Sequence, residues 1–402
     1  MKAIADTTTL VEDGVITPDQ ARQIEARARD TMVSLGINTV LSFGIIAATL
    51  GFIAWLADPV AVAVLGVMWL VAGRAVLSGK SGLYAMFGNA AMLIGAGMLI
   101  GGAAAELMSN HPDIAGPVMT VGGLIFTALA ARIYMNPGHI GRFVLGAILL
   151  MGLAFHIAGV AIVLEDHNVR GLIKAMFFLY TAAALAGAGW LTDVRLVTAL
   201  AIVPFAQMLE TGTGYFHAVY VFYSPETTLS ILQMIALIGL CYWVAGRWPE
   251  RQARHAGVLM VMGFIVANLC ALVGSLWGDI VGETLWGPGR YNRDLYTNYE
   301  GYTVARDAFR ETAITLSANL YSVLWAVALV AIILWAAHRN QRGLFNASLT
   351  FGGIHAYTQF FESFYDEPLA YIIGGLSAIP LAWGMWRLNA WIVARAEPDV
   401  PS

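Results

Sequence analysis

Apolar runs of about 20 residues recur along nearly the whole chain, separated by short polar breaks. A helix of that length rises about 30 Å, the thickness of the hydrocarbon core of a bilayer. Inside lipid every backbone N–H and C=O must find its partner within the segment, so runs of this kind must be helical. The fold class that follows is all-α, a polytopic transmembrane helical bundle. Composition agrees: the 402 residues are 58% hydrophobic and 12% charged, with mean hydropathy +0.69. A soluble domain is about a quarter charged, and this chain lacks the polar residues to cover such a surface.

We count about twelve spans, beginning near Asn38, Pro59, Leu83, Gly116, Ile140, Gly171, Val194, Thr227, Ala256, Thr312, Gly343 and Leu369. The charge pattern tests this count, because cytoplasmic loops carry the excess of Lys and Arg. Arg22, Arg27 and Arg29 precede the first span, and Arg74 and Lys80 follow the second. Further clusters recur at every second connection: Arg132 with Arg142, Arg195, then Arg247 with Arg251 and Arg254, Arg339 with Arg342, and Arg387 with Arg395. The intervening loops are short and poor in basic residues. The entrance to the sixth span, with Arg170 and Lys174 beside Glu165 and Asp166, is mixed. This alternation places both termini in the cytoplasm, N-in and C-in.

The organisation expected is a cytoplasmic segment over 1–35, nine spans over 36–277, a long periplasmic loop over 278–311, three spans over 312–395 and a tail over 396–402. In the first segment, Thr17, Pro18 and Gln20 read as an N-cap hydroxyl, a first-turn proline and a capping-box glutamine. A short amphipathic helix should start there. No cleavable leader is expected, because an apolar core is lacking before residue 30. The loop contains a Trp286-Gly-Pro-Gly-Arg290 turn signal and a candidate amphipathic helix from Tyr299 to Glu311. Trp286, Asp279, Glu283 and Arg290 are its candidate binding residues, for a lid or for a plain interfacial cover.

Polar side chains within the apolar runs are the candidates for function, since ionisable groups at membrane depth are costly and face a bundle interior or a wet cavity. Arg342 to Pro368 reads as a span with His355, Gln359 and Glu362 on one face. The seventh span carries Gln207, Glu210, Gly214 and His217 at spacings of three and four, again one helix face. Thr211-Gly-Thr-Gly214 is a weak helix former, so the helix is expected to kink or unwind there. Glu106, His156, Asn268 and Asn319 complete the set, all at mid-membrane or in the outer half. Together they suggest a polar cavity open to the periplasm, with Glu210 and Glu362 as titrating groups and His217 and His355 as their partners. The alternative for each is an interhelical hydrogen bond or a carboxylate that reaches water.

Catalytic residues, a metal site and a cofactor are not expected: there is no HExxH, no close His/Cys cluster, no P-loop and no GxSxG. Cys241 and Cys270 read as buried packing. A net charge of −4, without a basic patch, gives no reason to expect nucleic acid.

Two stretches resemble a known family. Leu10 to Ala21 (LVEDGVITPDQA) with the first span GIIAATLGFIAWLA, and the segment FNASLTFGGIHAYTQFFESFYDEP, are similar to the ends of a family of bacterial multi-pass membrane proteins described only as a domain of unknown function. Members often read Arg-Tyr-Phe before the closing carboxylate, where this chain has Gln359-Phe-Phe-Glu362. The resemblance implies a bacterial inner-membrane protein and brings no activity with it. The functional expectation is therefore a transporter or permease for a small solute, with protons as coupling ion and the lipid bilayer as its environment. The alternatives are a non-transporting scaffold or sensor of the envelope and a membrane-embedded lipid-modifying enzyme.

Overall fold

The computed structural model describes residues 7–56, 58–78, 85–136, 142–216, 219–288, 299–339, 341–364 and 366–396. The chain divides into two compact units, Met1–Val169 and Arg170–Ser402.

The first unit holds α1 (Thr7–Glu12), α2 (Pro18–Leu56), α3 (Pro59–Ser78), α4 (Ala85–Asn110), α5 (Pro112–Met135) and α6 (Arg142–Asp166). The capping box forms as expected: Thr17 N donates to Gln20 Oε1 at 2.9 Å, and Gln20 N donates to Thr17 Oγ1 at 3.2 Å. The helix it starts is not short. It runs unbroken to Leu56, so the preamble and the first apolar run are a single helix.

α3 pairs with α4 and α5 with α6, through glycines seven residues apart. Seven residues are close to two helical turns, so each such pair lies on one face. A Cβ on Gly66 would stand 2.7 Å from the Gly95 carbonyl, and one on Gly95 would stand 2.6 Å from the Gly66 carbonyl. Gly123 meets the backbone of His156, and Gly159 meets that of Thr120, just as closely. Contact at this range is the small-residue packing of membrane helices.

The second unit opens with α7 (Leu172–Thr192), followed by the short α8 (Arg195–Leu200) and α9 (Ile202–Gln207). Strands β1 (Gly212–Phe216) and β2 (Val219–Tyr223) then pair antiparallel, from Gly212 opposite Tyr223 to Phe216 opposite Val219. The single helix face expected from Gln207 onward is thus overturned, because the helix ends at Gln207. Pro204 interrupts the α8–α9 segment, and Thr211, Gly212 and Gly214 are poor helix formers. The aromatic and β-branched residues that follow suit strands. The expected unwinding at Thr211–Gly214 is observed, and the described residues from Gly212 to Tyr223 pair as strands.

The rest comprises α10 (Thr227–Arg247), α11 (Glu250–Trp277), β3 (Asp279–Ile280), α12 (Tyr299–Thr312), β4 (Thr315–Leu316), α13 (Ala318–His338), α14 (Arg342–Phe364) and α15 (Pro368–Ala396). β3 pairs with β4. α11 is central: it packs on α7, α8, α9, α10 and α13, and α13 in turn carries α14. Core clusters form where Met234, Val266 and Cys270 meet Ile202, and where Trp325 and Leu329 meet Ala271 and Phe351.

Among the described residues eight helices are long and apolar enough to cross a membrane: α3, most of α4, then α5, α6, α7, α10, α11 and α13. Their outward faces are apolar. On α13, Val323, Val327, Val330 and Leu334 are each more than half exposed and share one face. In water such a stripe would cost roughly 25 cal/mol per Å²; in lipid it costs nothing. α14 falls outside the eight, because Asn346, His355, Gln359 and Glu362 lower its apolar content.

Candidate functional site

The polar residues placed on α14 by the sequence do gather. Ser348, His355 and Gln359 are spaced by seven and four, which sets them on one helix face. The His355 ring meets Trp325 of α13 edge-on, with centroids 4.7 Å apart. Trp325 Nε1 donates to Asn268 Oδ1 of α11 at 2.9 Å, and Asn268 Nδ2 donates to the Phe264 carbonyl at 2.8 Å. Two expected residues, Asn268 and His355, are therefore joined across α11, α13 and α14 through a tryptophan that the sequence did not single out.

Along this face hydrogen bonding is incomplete. Ser348 Oγ, His355 Nδ1 and Gln359 Nε2 are all buried, and none has a partner among the described residues. Which ring nitrogen of His355 carries the proton, and which way the Gln359 amide faces, are assignments, but either choice leaves an atom unpaired. An unpaired buried polar atom costs about 1–3 kcal/mol, and native structures hold few. Three such atoms fall on one face of α14.

The other expected residues stand apart. Glu210 is half-buried in the turn after α9, in left-handed backbone at φ +59°, and does not share a helix face with Gly214. His217 and Arg290 lie outside the described residues. Glu210 follows α9, which packs on α11, whereas His355 lies on α14, which packs on α13. Glu362 is exposed near the end of α14, and Asn319 is exposed in the first turn of α13.

In the first unit, His156 is buried and its Nδ1 donates to the Thr120 carbonyl at 2.7 Å. Glu106 accepts from Asn110 Nδ2 at 2.9 Å near the end of its own helix. His156 thus makes the interhelical hydrogen bond given as its alternative.

The outer-loop candidates brace the fold. Asp279 is buried, and its carboxylate accepts from Thr227 N at 3.2 Å and Thr228 N at 2.7 Å. These are free N–H groups at the start of α10, where a carboxylate is favoured. In return Glu226, just before α10, accepts from Gly282 N at 2.7 Å and Thr284 N at 2.9 Å. Gly282 has φ +92°, and the Trp286 ring lies where a Cβ would be. Arg310 of α12 donates to both oxygens of Glu283 at 3.0 Å. Trp286 is 68% exposed and remains a surface aromatic. Glu226 was missed because its role depends on a loop more than fifty residues away.

Two further polar clusters carried no local signal. Thr211 Oγ1 lies 2.9 Å from Ser224 Oγ and 2.5 Å from Ser230 Oγ, and Ser224 Oγ donates to Ser230 Oγ at 2.8 Å. This ring of hydroxyls satisfies itself where the β1–β2 hairpin joins α10. At the opposite end, His255 Nδ1 is 2.6 Å from Thr198 Oγ1 and His255 Nε2 is 3.0 Å from Asp193 Oδ1. The order Thr–His–Asp is that of a nucleophile with its base and orienting acid. Thr198, however, is 1% exposed and packed closely against Gly189. We read the trio as a tie between α7, α8 and α11.

Asp193 ends α7 in left-handed backbone at φ +58°. The hydrogen bond from His255 holds its carboxyl below the ordinary 3.8, with burial opposing and Arg251 and Arg254 assisting. Arg251 also donates to the carbonyls of Trp190 and Leu191, each at 2.7 Å, which caps the end of α7. Among the described residues no group of three or more His, Cys, Asp and Glu side chains is placed to hold a metal ion.

Comparison with known proteins adds nothing to this geometry. No family model, no curated protein and no solved structure matches the chain.

Proposed function

We propose that this is a multi-pass membrane protein of the bacterial inner membrane that moves a small polar solute, with the α14 face of Ser348, His355 and Gln359 as its recognition surface. The single observation that carries this reading is the set of three buried, unpartnered polar atoms on that face. A solute with hydroxyl, amide or carboxylate groups would supply the missing bonds. Glu362, one turn beyond Gln359, is exposed and is the group assigned to proton coupling; Glu210 belongs to a separate element and a separate test.

In this reading α14 and α15 cross the bilayer beside the eight apolar helices, and both termini are cytoplasmic, as the distribution of Lys and Arg implies. α14 tolerates its polar face because it packs on α13, out of contact with lipid tails. The segment from Arg195 to Tyr223 makes the seventh crossing, helical in its inner part and a hairpin in its outer part. Irregular backbone at that depth is allowed where protein or a cavity surrounds it. The likeness of the chain ends to a family of unassigned function is part of this proposal and supplies no mechanism.

The test is ligand-induced stabilisation of the purified protein, read as thermal unfolding against a panel of amino acids, nucleosides and monosaccharides. Binding to the folded state alone raises the midpoint. A solute that stabilises wild type should fail on Gln359→Leu. That variant should itself unfold about 1–2 kcal/mol harder than unliganded wild type, because it removes an unpaired polar group. A destabilised Gln359→Leu would show that Gln359 is structural and would end the reading.

A further inference from the structure

A cavity of about 350 Å³ lies in the second unit between α7, the α8–α9 segment, α10 and α11, and nothing in the proposed solute site uses it. Its volume falls in the ~300–1,000 Å³ range of ligand pockets. The floor is buried and apolar, at Ala182, Ile202, Cys241 and Ala256. The rim is exposed, at Leu179 and Leu240 along its length and at Trp190 and Trp248 at one end. It is a lateral groove, open on the side of the helices that would face lipid. From Leu179 to Trp190 it follows α7 for about 16 Å at 1.5 Å per residue.

The polar groups are all at the tryptophan end. Thr198 and His255 are spent on each other and on Asp193. Gln252 is not: its amide oxygen is buried and has no partner among the described residues. Just beyond stand two exposed cations. Arg247 adjoins Trp248, with its guanidinium over the Trp243 ring at 4.9 Å, and Arg195 lies one turn before Thr198 on α8. Neither has a carboxylate partner among the described residues. Apolar length, then one hydrogen-bonding amide, then unpaired positive charge beside interfacial tryptophans is the order of groups along a phospholipid read from tail to head.

We propose that this groove holds an acyl chain of an anionic phospholipid, with the glycerol ester at Gln252 and the headgroup phosphate between Arg195 and Arg247. The Gln252 amide can turn either end to the lipid, so it suits an ester carbonyl or a headgroup hydroxyl. Both cations belong to connections assigned to the cytoplasmic side, so the lipid comes from the inner leaflet. The inference needs only that these helices face a bilayer and is independent of the solute site.

Full-length protein reconstituted with an equal mixture of phosphatidylglycerol and phosphatidylcholine tests it by native mass spectrometry of the lipid retained. A diazirine on the acyl chain locates the contact. Wild type should retain phosphatidylglycerol preferentially and give adducts within 237–244 and 252–259. Arg195→Gln with Arg247→Gln should lower that preference about five-fold per cation removed. Ala186→Phe, which fills the groove, should abolish the adducts, and Ala183→Leu at the exposed mouth should weaken them with less intrusion. Thermal unfolding at the wild-type midpoint certifies each variant as folded. Equal retention of the two lipids overturns the headgroup assignment. Adducts unchanged in both groove-filling variants overturn the site, as would a lipophilic additive or another protein's helix occupying it.

Discussion

At the scale of single residues, Asp193 carries the best-defined electrostatic consequence. Its carboxyl is held below 3.8 chiefly by the hydrogen bond from His255. A group whose folded pKa is depressed contributes stability above its unfolded value, and that stability is lost as pH falls through the lower folded value. Wild type should therefore lose thermal stability more steeply below pH 3.8 than Asp193→Asn does. Asparagine tolerates left-handed backbone, so the substitution removes the charge and keeps the turn. Because the side chain is 47% exposed, solvent screens part of the effect and the difference should be modest. Parallel midpoint curves from pH 6 to pH 3 would show that the His255–Asp193 contact contributes no charge-dependent stability.

Legibility in the sequence also divides at this scale. The α14 face was readable because helical spacing alone brings His355 and Gln359 together. Trp325 was not, since a tryptophan in an apolar run looks the same whether it faces lipid or bridges Asn268 to His355. Asp279 and Glu283 stood out as loop carboxylates, but their partners are backbone N–H groups of α10 and an arginine of α12. Those partners are fixed by tertiary folding alone.

At the scale of elements, glycine spacing sets the paired helices of the first unit. Gly123 touches the His156 backbone and Gly159 the Thr120 backbone, so α5 and α6 pack with no side chain between them. A β-branched residue at Gly123 must push the helices apart and strand His156, whose Nδ1 bonds to Thr120 across the same contact. Gly123→Val should lower stability by about 2–4 kcal/mol, in the range where overpacking combines with a broken buried bond. Gly187→Val, at a glycine with open space around it, is the matched control and should be near neutral. Equal effects at the two sites would mean that the close approach is not a determinant of packing. The second unit shows where element reading fails: a break at Thr211–Gly214 was legible, but the strands that follow it were not. Apolar strands and apolar helices have the same mean hydropathy, and only the aromatic and β-branched content from Tyr215 to Tyr223 separates them.

For the whole molecule, the eight apolar helices and their exposed aliphatic stripes place the chain in a bilayer, while the number of crossings rests on how the broken segment runs. Native Cys241 and Cys270 are buried and unpaired, which leaves the surface clear for labelling. If the segment crosses, Pro225→Cys in intact cells should react with a membrane-impermeant maleimide, and Arg195→Cys should react only after lysis. Reaction of both from the same side would make the segment re-entrant and reverse the orientation of everything after it.

The central claim is that the α14 face recognises a solute that the protein carries across the membrane, and uptake into proteoliposomes tests it most directly. Vesicles holding wild-type protein, loaded against the solute that stabilises it and given an inward proton gradient, should accumulate that solute above empty vesicles. Gln359→Leu and His355→Ala should each reduce the rate about five-fold or more while remaining folded, since each removes hydrogen bonding worth about 1–3 kcal/mol from the bound state. Uptake by both variants at the wild-type rate would contradict the account and leave the buried polar face of α14 as an unexplained feature of the fold.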